Sequence, residues 1–161
     1  SSSLSEIDCG VAKTLSVVGE WWGLMILRNA FHGMRTFDAF QENLSISSSV
    51  LSARLKTLTE AGVLERRRSE TDGRSYEYRL TEAGFDLYPI IVGLLDWGEK
   101  WDPSPGGRRM RLFEKATGEE IFGAAVVTRD GRRLDPRDVR AEAGPGASAK
   151  MRALTEKNRK G

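Results

Sequence analysis

The sequence is poor in the two residue types that most often build metal and catalytic sites. It contains one cysteine, Cys9, and one histidine, His32, among 161 residues. A single cysteine excludes an intramolecular disulfide and fits a reducing cytoplasm, where we expect the protein to be located. Two such side chains are too few for a structural zinc site, and one histidine leaves no Ser/His/Asp set. We therefore expect no metal, no cofactor and no enzymatic activity.

The sequence also lacks a long hydrophobic run. No apolar stretch approaches the roughly 18 residues of a membrane-spanning helix, so we expect no membrane partner. Charge is unevenly distributed. Residues 1–102 hold 11 Lys and Arg against 15 Asp and Glu, a net charge of −4, whereas residues 103–161 hold 14 against 8, a net charge of +6. If the first part binds a polyanion, it must do so through local basic patches.

Helical periodicity begins near the start of the chain. Residues 8–18 carry apolar side chains at helical spacing, with Asp8 as a candidate cap. Gly19 interrupts this pattern, and residues 21–31 form a second, very apolar helix that we expect to end near Gly33.

Two further helices follow at short spacing. Thr36 is placed to cap a short helix that ends near Leu44, and Ser45-Ile46 forms a tight connection. Ser47 is placed to cap the next helix, which we expect to end at Ala61-Gly62. The apolar positions of that helix are Val50, Leu51, Leu55 and Leu58.

The apolar period then changes from that of a helix to that of a strand. Residues 63–70 and 74–80 predict two short strands joined by a hairpin turn at Asp72-Gly73. Thr81 opens a last helix with a broad apolar face through Trp101. This order of elements is that of a winged helix-turn-helix, an α+β fold in which the hairpin is the wing.

The remainder of the chain has a different composition. Residues 102–107 are rich in Pro and Gly and resemble a linker. Residues 110–121 and 123–134 suggest a small β-hairpin unit, and the last 18 residues are polar, basic and partly helical. We therefore expect a winged-helix domain over residues 1–102 and an appendage over residues 103–161.

The helix after Ser47 has an exposed face suited to DNA. On a wheel of 100° per residue, Leu51, Leu55 and Leu58 form the buried stripe. Small, hydroxylic and cationic side chains lie opposite or beside it: Ser48, Ser49, Ser52, Ala53, Arg54, Lys56 and Thr57. Small residues allow a helix to lie deep in a major groove, and hydroxyl groups bond phosphates or base edges. The alternative is an ordinary surface helix capped by serine.

The hairpin carries a cluster of arginines. Strand alternation directs Arg66 and Arg68 to one face and Arg67 to the other, and Arg74 beside the turn is the best minor-groove candidate. The alternative is a strand whose charges neutralise one another, since four acids lie among the arginines. The predicted contacts to double-stranded DNA are Arg35, Thr36, Ser47, Ser48, Ser49, Ser52, Ala53, Arg54, Lys56, Thr57, Arg66, Arg68 and Arg74.

Four motifs in order carry a family resemblance. They are "CGVAKTLSVVGEWWGLMILRNAF", "RTFDAF", "SSSVLSARLKTLTEAGVLERR" and "YEYRLTEAGFDLYPIIVGLLDWGEKW". Over about residues 8–101 the chain resembles the HxlR-type transcriptional regulators, relatives of the MarR class. The resemblance implies a DNA-binding homodimer that pairs through its first and last helices. We expect it to bind a palindromic operator as a repressor, and activation is the alternative. Ser48 and Ser49 stand where relatives often have Pro and a cation, which leaves the operator sequence open.

The resemblance also implies an interface and a means of control. The expected dimer residues are Val11, Leu15, Val18, Leu94, Leu95, Trp97 and Trp101. Some relatives use a cysteine matching Cys9 to sense an oxidant or electrophile, so Cys9 is a candidate sensor, and simple packing is the alternative. A small-molecule effector is a further expected partner.

A winged helix without sequence-specific DNA binding, serving protein–protein interaction, is the alternative function. The net charge of −4 over residues 1–102 favours it, and the cations of the reading helix and wing oppose it.

Overall fold

The computed structural model describes residues 6–159. Its helices are α1 (Gly10–Val18), α2 (Trp21–Phe31), α3 (Phe37–Leu44), α4 (Ser48–Glu60), α5 (Glu82–Phe85), α6 (Tyr88–Trp101) and α7 (Ala149–Arg159), and its strands are β1 (Leu64–Arg68) and β2 (Tyr76–Leu80). None of the helices in this described part is long and apolar enough to cross a membrane.

The chain divides into two compact units. The winged-helix unit comprises residues 17–124, and the terminal unit comprises, of the described residues, 6–16 and 125–159. The domain boundary predicted between residues 102 and 103 lies inside the winged-helix unit.

The first two helices follow the predicted pattern, with one correction. Gly19 has a φ of +68° and separates α1 from α2, and Gly33 has a φ of +94° just after α2 ends. Both conformations favour glycine because it has no Cβ. The predicted cap at Asp8 is wrong, because α1 begins at Gly10 and Cys9 occupies the position before it.

The helix-turn-helix consists of α3, a short turn and α4. The Thr36 hydroxyl accepts a hydrogen bond from the Ala39 N–H, and the Ser47 hydroxyl accepts one from the Val50 N–H, so both predicted caps are confirmed. Between the helices, Ser45 adopts the left-handed conformation with a φ of 51°. This residue is the C-cap of α3, and its N–H donates to the Gln41 carbonyl at 2.9 Å.

The core lies between α2, α3, α4 and the hairpin. Leu51, Leu55 and Leu58 of α4 are at most 1% exposed, which confirms the predicted buried stripe. They pack with buried residues of the other elements, namely Val18, Ile26, Leu27, Phe40, Leu44, Ile46, Val63 and Leu64. Burial of each large side chain contributes about 1.5–3 kcal/mol to folding, and this core therefore holds the reading helix in place.

The wing is an antiparallel pair that runs from Leu64 opposite Leu80 to Arg68 opposite Tyr76. The strands are joined by residues 69–75, a longer connection than a two-residue turn. The Ser75 N–H donates to the Asp72 carbonyl at 3.1 Å, so Gly73 and Arg74 occupy the centre of the turn instead of Asp72-Gly73.

The last predicted helix is broken into α5 and α6. Thr81 caps α5 as predicted, since its hydroxyl accepts a hydrogen bond from the Gly84 N–H. Pro89 near the start of α6 has no N–H and its ring would clash with the carbonyl of Phe85, four residues earlier. The helix therefore ends at Phe85 and restarts at Tyr88.

Part of the predicted appendage belongs to the winged-helix unit. The Asp96 carboxylate of α6 accepts hydrogen bonds from the Arg108 guanidinium at 2.9 Å and the Ala124 N–H at 3.0 Å. Between these anchors, a tight turn brings Phe113 opposite Glu120 in an isolated bridge. Within the terminal unit, a second turn brings Val127 opposite Arg133. The single β-hairpin unit predicted for residues 110–134 is therefore replaced by two separate turns, each with one isolated bridge.

Candidate nucleic-acid interface

The turn before α4 is held by a residue that the sequence reasoning missed. The Gln41 side-chain amide donates to the Ser48 hydroxyl at 2.7 Å and to the Ile46 carbonyl at 3.4 Å. These bonds connect α3 to the first turn of α4. The start of α4, where unpaired backbone N–H groups favour a phosphate, is therefore fixed relative to α3.

The exposed face of α4 matches the predicted face closely. The side chains of Ser49, Ser52, Ala53 and Lys56 are exposed, on the side away from the buried leucines. The Thr57 hydroxyl is half-buried and donates to the Ala53 carbonyl at 3.0 Å. The Lys56 ammonium lies 3.8 Å from the Glu60 carboxylate, with both side chains mostly exposed, so this pair is weak. The face offers small hydroxyl groups and one exposed cation.

Arg54 does not lie on that face. Its side chain is half-buried, and a Cβ placed on Gly19 would lie 2.9 Å from its Nη1 atom. Its Nε atom is buried without a hydrogen-bond partner among the described residues. Because Gly19 has no side chain, the guanidinium can pack against the junction of α1 and α2. The guanidinium therefore has a packing partner within the protein, and whether Arg54 also contacts DNA stays a prediction.

On the wing, two predicted arginines share one face and are held in place. The Arg66 guanidinium lies 3.7 Å from the centroid of the Tyr76 ring, and the Arg68 guanidinium lies 5.4 Å from it. Arg68 also donates to the Gly73 carbonyl at 2.6 Å. Tyr76 was not predicted as a site residue. Its position diagonal to Arg66 follows from the strand register, which the turn determines.

Arg67 points to the opposite face, as predicted, and is paired. Its guanidinium donates to the Glu65 carboxylate at 2.8 Å. This hydrogen bond stabilises the ionised carboxylate and so holds the pKa of Glu65 below its usual range. The self-neutralising alternative therefore describes one face of the wing, and Arg66 and Arg68 lie on the other.

The tip of the wing and the start of α3 complete the surface. The Arg74 side chain is exposed and makes no hydrogen bond or ion pair within residues 6–159, while its N–H donates to the Asp72 carboxylate at 3.1 Å. The Tyr78 N–H of β2 donates to the Arg35 carbonyl at 2.7 Å, which connects the wing to the residue before Thr36. The predicted residues Arg35, Thr36, Ser47, Ser48 and Ser49 are all exposed.

The predicted dimer residues do not all lie on the surface. Leu94, Trp97 and Trp101 of α6 are 53%, 67% and 65% exposed, and Val11 and Leu15 of α1 are 69% and 40% exposed. Leu95 is half-buried. Val18 is only 2% exposed and packs in the core, so its place in the predicted interface is wrong. The chain turns tightly between α1 and α2, so that a Cβ on Gly23 would overlap the Val18 carbonyl oxygen. Only glycine fits at position 23 for this reason.

A short helix, a tight turn, a second helix with a polar outer face, and a basic hairpin define a winged helix-turn-helix protein of the DNA-binding class. The chain belongs to the HxlR-like helix-turn-helix family, whose model matches residues 17–105. It is a DNA-binding transcriptional regulator, and the predicted family is confirmed.

Individual relatives agree with this assignment. Two uncharacterized HTH-type transcriptional regulators, from Mycobacterium bovis and Mycobacterium tuberculosis, are each 41% identical over 141 residues, which covers 88% of this chain and 89% of each relative. The crystal structure of the candidate transcription factor PA1607 superposes with a TM-score of 0.79 at 35% identity and covers 89% of this chain and 100% of its own. The structure of the redox regulator HypR in its oxidized form superposes with a TM-score of 0.52 at 31% identity, and the match covers 57% of this chain and 96% of its own. These likenesses favour DNA binding over the protein–protein alternative.

Proposed function

We propose that the protein represses transcription as a homodimer, with α4 in the major groove of a palindromic operator and the wing on the adjacent backbone or minor groove. The observation that carries the proposal is the exposed face of α4, which is small, hydroxylic and cationic and lies opposite the buried leucines. The proposed contacts are Arg35, Thr36, Ser47, Ser48, Ser49, Ser52, Ala53, Arg54, Lys56, Thr57, Arg66, Arg68 and Arg74.

The test uses duplex DNA from the promoter immediately upstream of the protein's own gene. Binding is measured by fluorescence anisotropy at several salt concentrations, with a scrambled duplex as control. Phosphate contacts release counterions, so log K should fall steeply as log salt rises, with about 0.9 of slope for each contact. Equal affinity for the promoter and the scrambled duplex would contradict sequence-specific regulation.

The proposed dimer pairs apolar surface on α1 and α6. Support comes from Trp97 and Trp101, which are exposed on α6 in the single chain, and from Val11 and Leu15 on α1. Large exposed apolar patches usually mark interaction sites. Pairing would place two reading helices about 34 Å apart, the spacing of successive major grooves on one DNA face.

Sedimentation tests the dimer directly. At micromolar concentration we expect a species of twice the 17.9 kDa chain mass. Trp97→Ser should shift it toward the monomer, while Phe122→Ser, which changes an equally exposed aromatic residue outside the proposed interface, should not. A monomer that still binds the whole palindrome tightly would contradict the dimer.

Cys9 is the proposed site for an oxidant or electrophile. It is half-buried and immediately precedes α1, one of the proposed dimer helices, so its modification would alter the start of that helix. The likeness to the redox regulator HypR supports the idea. Cys9→Ser should abolish any oxidant effect on operator binding, and an unchanged response in the variant would remove Cys9 from the mechanism.

A further inference from the structure

A groove in the winged-helix unit lies apart from the DNA-facing surface. It has a volume of about 630 Å³ and runs between α2 and α6, with residues 109–112 along one side. Its walls are mostly apolar and include Leu24, Met25, Phe31, Tyr88 and Leu95. The Phe31 and Tyr88 rings lie 4.7 Å apart, centroid to centroid. This volume is typical of sites that hold small organic molecules.

One cation in this groove is held rigidly without a carboxylate partner. The Arg28 guanidinium donates to the Asn29 side-chain oxygen from Nε at 2.9 Å and from Nη2 at 2.7 Å, and Nη2 also donates to the Asn43 oxygen at 3.1 Å. Asn29 is 1% exposed and its own amide donates to Asn43 at 2.8 Å. Both acceptors are neutral amides, so they orient the guanidinium without cancelling its charge. Its Nη1 hydrogens have no partner within the described residues.

The other charges in the groove cancel. The Glu99 side chain is only 7% exposed and accepts hydrogen bonds from the Arg109 N–H at 2.8 Å and the Arg109 Nη1 at 3.5 Å. This pair leaves Arg28 as the uncompensated charge among the lining residues. An apolar groove with one fixed, unbalanced cation is complementary to a molecule with an apolar body and one negative charge.

We propose that this groove binds an amphipathic monoanion, with an aromatic or medium-length aliphatic body between α2 and α6 and its anionic group on Arg28. A guanidinium presents paired N–H groups in a plane, which suits a carboxylate or similar oxyanion. The two asparagines act as positioning residues for Arg28. Binding of the ligand does not depend on the proposed function, but its role as an effector of operator binding rests on it.

The first test needs only the unmodified protein and two dyes. Anilinonaphthalene sulfonate (ANS) carries one negative charge on an aromatic body, whereas N-phenylnaphthylamine has the same kind of body and no charge. We expect one ANS per chain by fluorescence titration, bound at least about tenfold tighter than the neutral dye, as befits a charge-assisted hydrogen bond. Equal affinity for the two dyes would overturn the proposal.

Variants then assign the preference to Arg28. Arg28→Met should weaken ANS binding at least about tenfold while leaving the neutral dye nearly unaffected, and Arg28→Lys should retain part of the preference. Lys115→Met removes an exposed cation outside the groove and should change neither dye. Undiminished ANS binding by folded Arg28→Met would overturn the site. If Arg28→Met does not fold, the dye comparison on the unmodified protein decides alone.

Two further outcomes separate the competing explanations. If a second copy of the chain fills the groove, ANS will bind only when dilution dissociates the dimer, and that result would overturn the small-molecule site. Saturating ANS should also change operator affinity in the unmodified protein. ANS binding without any DNA binding would contradict the proposed function and leave the ligand site intact.

Discussion

The reading helix and the wing hold their cations in opposite ways. On α4 the Lys56 ammonium is exposed and only weakly paired with Glu60. On the wing the Arg66 and Arg68 guanidinium groups are positioned by the Tyr76 ring, and Arg68 also by the Gly73 carbonyl. Ordered side chains lose less entropy when they bind. We infer that the wing contributes affinity for the DNA backbone, while the small polar face of α4 contributes the choice of sequence.

The largest expected effect comes from a substitution in the hydrophobic core, which supports both the reading helix and the wing. Leu55, on the buried face of α4, is 1% exposed. Leu55→Ala should lower the free energy of unfolding by about 2–5 kcal/mol, because it loses buried apolar surface and leaves a cavity. Urea unfolding followed by circular dichroism measures this. Leu154→Ala, at a leucine that is 52% exposed on α7, is the matched control and should change stability by less than about 0.5 kcal/mol. Similar losses in both variants would refute the assigned core.

The next prediction compares the two surfaces directly. Lys56→Ala should cost about 1–3 kcal/mol of binding if Lys56 contacts a base edge, and it should change the preferred sequence. If Arg74 contacts the phosphates that border the minor groove, Arg74→Ala should weaken binding to all sequences and reduce the salt slope by about one unit. Anisotropy titrations on a set of mutated operators measure both. If Lys56→Ala reduced the salt slope and Arg74→Ala changed the preferred sequence, the roles assigned to α4 and the wing would be reversed. Unchanged affinity in both folded variants would contradict the proposed contacts.

A smaller effect tests the ordering of the wing arginines. Tyr76→Ala should weaken DNA binding about two- to fivefold, since an exposed cation–π contact contributes about 0.5–1 kcal/mol. Tyr76→Phe keeps the ring and should bind as the unmodified protein does. Comparison of the two variants separates the ring from the hydroxyl group. If Tyr76→Ala binds normally, the wing arginines do not need this support.

The smallest effect concerns the opposite face of the wing. The hydrogen bond from Arg67 holds the pKa of Glu65 below its usual range. The stabilisation it contributes is therefore present above the unfolded-state pKa and is lost as pH falls through the lower, folded-state pKa. Glu65→Gln should remove this pH-dependent contribution. The free energies of unfolding at pH 7 and pH 3, measured by urea unfolding, should therefore differ slightly less in the variant than in the unmodified protein. Operator affinity at neutral pH should be unchanged, because Arg67 points away from the proposed contact face.

Several features of the site could be predicted because they depend on nearby residues. Thr36, Ser47 and Thr81 were correctly identified as caps, because each hydroxyl bonds an N–H only three residues later. The buried stripe of α4 followed from helical geometry alone. Whether the exposed residues contact DNA stays a prediction.

Other features depended on residues distant in the sequence. Arg54 lies on the flank of α4, where periodicity alone does not distinguish a DNA contact from packing against Gly19. Val18 fits an outer helical face by its spacing, but the tight turn into α2 buries it. The break at Pro89 could have been predicted, because proline disfavours a helix interior. The strong apolar pattern on both sides of it indicated a continuous helix instead.

The sequence by itself determined the order of the helices and strands from α1 to β2, the caps of α3, α4 and α5, and the outward face of α4. Each of these follows from bonds and periodicity within a few residues. Only the tertiary structure decided which cations are free. It stacked Arg66 on Tyr76, packed Arg54 against Gly19 and bonded Arg28 to Asn43, 15 residues away. A long cationic side chain can reach many partners, and the choice among them depends on which elements the fold brings next to it.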